Sequence, residues 1–290
     1  MIHEIEAKTL LAHISHPDPW FGIRYNMNIY RGCEHQCIYC DSRSECYGIA
    51  EFRDVLVKVN ALELLAQELP RKRQKGLIGT GSMSDPYTPV ERRYNLTGRA
   101  LELIARLSFP VHIITKSDLV LRDIDTLAEI NRVRAHVSLT ITTVDDALAA
   151  VLEPGAPSPS RRFAALEQLA ARGIRAGVTL MPVLPFIEDT VENVHAILAR
   201  AHDCGARYVL AASGMTLRDR QRAYYYEALE RHFPGLRERY ERAYGERYHA
   251  APPNARELQA AIEKDVARYG LATAVPPYTA EPQATQLGLF

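Results

Sequence analysis

The chain has 290 residues, 47% of them apolar, and its 35 Lys and Arg are balanced by 35 Asp and Glu. That balance excludes a global electrostatic pull toward nucleic acid or an anionic membrane, so any polyanion site must be a local patch. Charges at Glu4, Glu6 and Lys8 argue against a signal peptide, and the longest apolar stretch, 178–186, is broken by Pro182 and Pro185 and is too short to span a bilayer. Five cysteines, three of them inside eight residues, do not read as a secreted disulfide scaffold. A soluble, cytoplasmic protein without a membrane segment is expected.

After an N-terminal extension, 1–20, a strand is predicted near 25–29. Asn60 and Glu63 have capping-box spacing ahead of Leu62, Leu65 and Leu69. Short β-rich runs follow at 77–79, 111–114, 136–142, 176–183 and 208–210. Amphipathic helices lie between them: Ser158 and Pro159 open one with Phe163, Leu166 and Leu169 inward and Gly173 as its stop, and Asp189 with Glu192 opens another with Val194, Ile197 and Leu198 inward. Strands alternating with helices imply a parallel sheet with right-handed crossovers, and about six such units give an α/β fold, a partial (β/α)6 barrel of the TIM type over 21–215. Residues 216–272 read as a helical C-terminal region, and the Pro-containing stretch 273–290 as a flexible tail.

Parallel strands send their C-terminal ends to one face. Those ends carry Cys33, Ser82 to Asp85, Lys116 with Ser117, Thr140 to Thr143, and Ser213, a polar rim that suggests a site. Within it, Cys33, Cys37 and Cys40 have the spacing Cys-x3-Cys-x2-Cys, which lets one loop wrap three corners of a [4Fe-4S] cubane. Three thiolates leave one iron open, and the amine and carboxylate of S-adenosylmethionine (SAM) suit that position. An electron passed into the sulfonium would then release a 5′-deoxyadenosyl radical. A rival reading is a compact zinc site completed by Cys46, His35 or Asp41.

The segment Cys33-x3-Cys37-x-Tyr39-Cys40 resembles the signature of the radical SAM superfamily. The longer string from Tyr25 and Asn26 through Tyr30, Gly32 and His35 is similar to the spore photoproduct lyase branch, often described as DNA repair photolyase-like. Ser84-Asp85-Pro86-Tyr87, Ile114-Thr115-Lys116 and Glu153-Pro154-Gly155 extend the likeness over most of 20–215. The resemblance implies iron ligation by Cys33, Cys37 and Cys40 and adenine contact by the backbone of Tyr39. It also implies contact with the SAM amino group near Ser84 and Asp85, and with the SAM carboxylate and ribose by Lys116 and by Ser138 or Thr140. Arg161 or Arg162 is a further candidate for the carboxylate, or else a solvated helix face. An electron donor such as flavodoxin or ferredoxin is implied as well. The branch carries a cysteine hydrogen donor just before the Ser-Asp pair; here Ser82 and Met83 stand there, so repair of the spore photoproduct itself is not expected.

Two features hint at a DNA or RNA substrate or at a partner. Arg71-Lys72-Arg73 with Lys75, Arg92-Arg93, and Arg218, Arg220 and Arg222 ahead of Tyr224-Tyr225-Tyr226 suit phosphates and stacked bases, unless the tyrosines pack inward. Gln286-Leu287-Gly288-Leu289-Phe290 resembles the peptide by which bacterial repair proteins dock on the sliding clamp. The leading expectation is a radical SAM enzyme acting on a nucleic-acid lesion or base. Its rivals are a peptide or small-molecule substrate and a non-catalytic, zinc-stabilised nucleic-acid-binding module.

Overall fold

The computed structural model describes residues 1–16, 19–49, 51–81 and 83–280. Its strands are β1 (Ile2–Ile5), β2 (Leu11–His13), β3 (Ile23–Met27), β4 (Tyr30–Arg31), β5 (Val55–Lys58) and β6 (Leu77–Gly79), then β7 (Val111–Thr115), β8 (Ala135–Thr140), β9 (Arg175–Val183), β10 (Tyr208–Ser213), β11 (Met215–Thr216) and β12 (His249–Ala250). The main sheet runs β10-β9-β8-β7-β6-β3-β2, with β3 and β6 to β10 mutually parallel and β2 antiparallel on its edge. The six parallel strands match the expected units. β1, β5 and β4 form a separate small sheet beside them.

Side-chain alternation explains both faces of the sheet. Val111, Ile113, Val137, Leu139, Ala176, Val178 and Val209 join the apolar core with the crossover helices. From the other face, His112 on β7 donates or accepts at Ser138 on β8 (2.7 Å), which meets the Tyr208 hydroxyl of β10 at 2.9 Å. In a flat sheet β7 and β10 would stand about 14 Å apart. The rings of His112 and Tyr208 are 6.2 Å apart, so the sheet is curled into a partial barrel. Gly177 on the intervening β9 permits this: a Cβ there would lie 2.5 Å from the Tyr208 ring.

Helix ends follow the sequence in part. Ser158 caps Pro159–Ala171 by accepting from the Arg161 N–H, as expected, and Phe163, Leu166 and Leu169 are buried. The next helix, Val191–Asp203, is capped by Thr190 rather than Asp189. Asn60 makes no capping box, because its side-chain amide is bonded in both directions to the backbone of Ala7 (3.0 and 2.9 Å). A long-range partner has displaced the local one.

The C-terminal region has two parts. Asp219–His232 and Leu236–Tyr244, with the β11–β12 pair, lie against the cysteine loop: Tyr225, Tyr240 and Leu229 share one buried cluster with Cys37, Ile38 and Tyr39. Ala255–Tyr269 packs instead on the barrel's helical layer through Leu258 and Ile262, with Asp265 paired to His195. The chain then crosses the N-terminal end of the barrel. Ala272 pairs beside Tyr208, and Val275 is fully buried with Leu77, Tyr208 and Leu210. The expectation of a loose tail from 273 onward therefore fails for this stretch, because Val275 fills the barrel's lower end. Gln286 to Phe290 lie outside the described residues. Among the described residues no helix is long and apolar enough to cross a membrane.

Candidate functional site

The cysteine loop leaves β4 and folds over the C-terminal ends of the strands. Its backbone is tied at several points: Ile38 N–H donates to the Leu152 carbonyl and Gly155 N–H to the His35 carbonyl, each at 2.9 Å. Glu34 N–H donates to Thr88 (2.9 Å), and the Glu34 carboxylate accepts from Val90 N–H at 2.6 Å. Gly155 is required at this contact, since a Cβ would sit 2.1 Å from the Glu34 carbonyl oxygen. The Glu153-Pro154-Gly155 turn is thus a clasp on the loop. Arg43, buried, stacks 3.6 Å from the Tyr224 ring centre and donates to the Cys37 carbonyl at 3.3 Å. The result is one loop presenting three free thiols, Cys33 and Cys37 buried and Cys40 half-buried.

Two charged networks support that loop. In the first, Asp85 accepts from Thr115 (2.6 Å), Lys116 N–H (2.7 Å) and Tyr87 N–H (2.8 Å), while His35 Nδ1 lies 3.3 Å from it. Burial works against ionising any of these groups, but their mutual attraction outweighs it. Asp85 falls to about 2, His35 rises to about 10, and the Cys33 thiol beside His35 drops below its ordinary value. In the second network Glu153 is buried, paired with Arg162 and accepting from the Tyr39 hydroxyl. The Lys116 ammonium lies 3.8 Å from Glu153 and 5.6 Å from the Tyr39 ring centre. Burial alone would raise Glu153, yet Arg162 and Lys116 bring it below the usual range. Burial pushes the Cys37 and Cys40 thiols up, so both favour the protonated form in this structure.

The predicted residues fall into two groups. Cys33, Cys37, Cys40, Tyr39 and Lys116 come together, with Thr140 nearby through its carbonyl, which accepts from Arg162 at 2.8 Å. Ser84, Asp85 and Ser138 are already bonded within the protein: Ser84 donates to the Tyr30 carbonyl, and Ser138 sits mid-strand between His112 and Tyr208. Arg162 is 1% exposed rather than part of a solvated face, whereas Arg161 is exposed and paired with Asp118. The sequence reading missed Glu153 as a buried anchor and His35 as the link from Cys33 to Asp85. The Glu-Pro-Gly turn was the available signal for the first. It also missed Glu188, whose buried carboxyl accepts from Thr142 (2.6 Å) and is raised to about 8 by burial, with the Glu153 charge adding to the rise.

The Arg- and Tyr-rich stretch does not form a free nucleic-acid surface. Tyr225 and Tyr226 pack inward, Arg220 donates to the Arg43 and Ile49 carbonyls, and Arg222 binds carbonyls of Leu217, Gly245 and Arg247. These residues fasten the helices to the cysteine loop. The compact zinc site also loses its extra ligands: Cys46 sulfur accepts from Arg218 at 3.1 Å and Asp41 pairs with the same guanidinium at 3.0 Å. Among the described residues no three His, Cys, Asp or Glu side chains converge on one metal ion. A cubane asks for a different arrangement, in which each sulfur meets its own iron.

Comparison with known proteins agrees with this geometry. The family model described as "Radical SAM superfamily" matches residues 27–198. An uncharacterised protein of Mycobacterium tuberculosis is 31% identical over 292 residues, 97% of this chain and 85% of that one. The "Radical SAM Nalpha-GlyT isomerase" of Pseudomonas phage M6 is 24% identical over 89% of this chain and 50% of its own length. Among solved structures, a spore photoproduct lyase complexed with dinucleoside spore photoproduct superposes with TM-score 0.69 at 16% identity, covering 92% of this chain and 79% of that one. A mutant of that lyase with bound AdoMet and the same dinucleoside gives TM-score 0.70 at 15% identity over 92% and 78%.

Proposed function

Because the chain belongs to the radical SAM superfamily, we propose that Cys33, Cys37 and Cys40 hold a [4Fe-4S] cluster with one iron left for SAM, in an enzyme acting on a nucleic-acid lesion or base. The observation that carries this reading is the three-thiol loop clasped over the strand ends, with the half-buried Lys116 beneath it beside Glu153. The donor set fits the group: all ligands are sulfurs, and His35, Lys116 and Arg43 supply positive charge against a thiolate-bound cluster. When bound, the cluster supplies the electron that cleaves the SAM carbon–sulfur bond to give a 5′-deoxyadenosyl radical.

The chain's own residues have separable tasks. Lys116 binds the SAM carboxylate, since at 3.8 Å from Glu153 its ammonium is attracted but not hydrogen-bonded and keeps N–H groups to donate. Glu153, held by Arg162 and Tyr39, positions that ammonium. Thr140 offers a hydroxyl on the strand that would meet the ribose, whereas the Ser138 hydroxyl is engaged by His112 and Tyr208; the backbone of Tyr39 would meet the adenine. Ser84 and Asp85 shape the amino-group side by fixing Tyr30, Thr115 and His35. The tyrosines of the C-terminal helices exclude water from the outer side of the loop.

A nucleic-acid substrate is supported by the dinucleoside bound to the lyase that shares this fold. Chemistry of the lyase or base-modifying kind follows from that reading. Met83 stands before the Ser-Asp pair where a hydrogen-donating cysteine is absent, so repair of the spore photoproduct itself is not proposed. Anaerobically purified protein should be brown, carry four irons per chain and convert SAM to 5′-deoxyadenosine, and Cys37→Ala should lose both. One colourless zinc per chain would end the proposal. Salt-dependent binding to DNA or RNA supports the substrate class, whereas no affinity at low salt favours a peptide or small molecule.

A further inference from the structure

At the opposite end of the barrel, where the strands begin, lies a cavity of about 530 Å³ lined by Arg134, His136, Arg175, Arg207 and Tyr208 and floored by residues 272–276. The three arginines come from equivalent places. Arg134 precedes β8, Arg175 opens β9 and Arg207 precedes β10, and these strands are neighbours in the sheet. Arg134 reaches the carbonyls of Pro276 and Pro277 at 3.5 Å, and Arg175 reaches the side-chain oxygen of Asn131 at 3.3 Å. Among the described residues none of the three has a carboxylate partner, although the chain as a whole has as many acids as bases.

Arginine after a helix is often explained by the partial negative charge of the helix C-terminus. That accounts for each cation singly and leaves two facts over. His136 is 5% exposed, and its Nδ1 is buried without a hydrogen-bond partner. An orphaned polar atom of this kind is costly unless something fills the space beside it. The cavity is also larger than a water needs and falls in the range that holds small organic ligands. Burial and the nearby His112, Arg175 and Arg134 hold the His136 ring neutral, so the cationic character of the cavity comes from the arginines.

We propose that this lower cavity binds a small phosphate-bearing molecule of nucleotide size, its phosphate held by Arg134, Arg175 and Arg207 and its body against Tyr208, Ile174 and Pro276. Guanidinium forks match phosphate oxygens, which is why several arginines facing one space favour this anion over a single carboxylate. The site lies at the end of the barrel away from the cysteine loop and is independent of the function proposed above.

Calorimetric titration of the anaerobically purified full chain with AMP, pyrophosphate and adenosine tests this. Saturable binding of AMP and pyrophosphate is expected, with adenosine weaker by roughly tenfold or more because it lacks the charge-assisted bonds. The Arg134→Gln/Arg175→Gln double variant should weaken AMP by a similar factor, while Lys116→Ala should leave it unchanged. A far-ultraviolet and thermal comparison confirms that the double variant is folded, and Arg207→Gln alone supplies a second variant. The inference is overturned if AMP and pyrophosphate give no saturable heat, if adenosine binds as well as AMP, or if Lys116→Ala abolishes binding that the arginine variants retain.

Discussion

At the C-terminal end of the strands the buried Arg162 and half-buried Lys116 surround Glu153, whereas at the N-terminal end Arg134, Arg175 and Arg207 line a cavity with no carboxylate beside them among the described residues. The same strands therefore carry two kinds of cation. Above, the attraction of Glu153 offsets the desolvation of its neighbours, so the network is rigid before any ligand arrives. Below, the partners of Arg134 and Arg175 are neutral, the Pro276 and Pro277 carbonyls with the Tyr278 ring and the Asn131 side chain, so an incoming anion would bring the opposing charge that these contacts lack. A compensated cation holds geometry, and an uncompensated one holds affinity.

The comparison is most easily broken at Glu153. Glu153→Gln keeps the shape and removes the charge, leaving the buried Arg162 without its carboxylate and the half-buried Lys116 without its neighbour, at a cost of about 3–5 kcal/mol in chemical denaturation, set mainly by Arg162. A cost below about 1 kcal/mol would mean that the upper network is no more compensated than the lower one. Next in size is Gly155→Ala. The new methyl meets the Glu34 carbonyl at 2.1 Å, so the clasp must open, which costs about 1–3 kcal/mol and should lower iron content after reconstitution. Unchanged stability and iron loading would show that the clasp does not hold the loop.

Glu188 sharpens the contrast through pH. Its folded-state value of about 8 lies above the ordinary 4.5, so the folded chain favours the neutral carboxyl. The corresponding stability is fully present below about pH 4.5 and is lost as pH rises toward about 8. Wild-type melting temperature minus that of Glu188→Gln should therefore fall by several degrees across that window. A flat difference would place Glu188 among ionised, compensated carboxylates like Glu153.

The six parallel strands were legible because each is a short apolar run bounded by turn residues, and the cysteine loop because its three ligands are nearly contiguous. Three kinds of feature were not. β1 and β2 are short and mostly exposed, so no alternation marks them. The Tyr39–Glu153 contact joins residues 114 positions apart, and no local pattern predicts it. Arg218 to Tyr226 has the composition of a nucleic-acid surface, yet backbone carbonyls of the cysteine loop and the β11–β12 region claim its arginines. Composition shows which groups are present, while only tertiary contact shows which are already engaged. The lower arginines lay unnoticed for the converse reason, since they are scattered singly through the chain and gather only when neighbouring strands align.

The smallest expected effect lies there. Arg175→Gln removes a guanidinium whose recorded bond is a 3.3 Å contact with the Asn131 side chain, so stability should change by no more than about 0.5 kcal/mol. A small stabilisation is as consistent as a small loss, because removing one like charge near Arg134 relieves repulsion. Phosphate affinity, not stability, is the property this arginine should control. A loss approaching that of Glu153→Gln would mean that Arg175 is held by the fold itself, and the two ends of the barrel would then differ in sequence but not in physical kind.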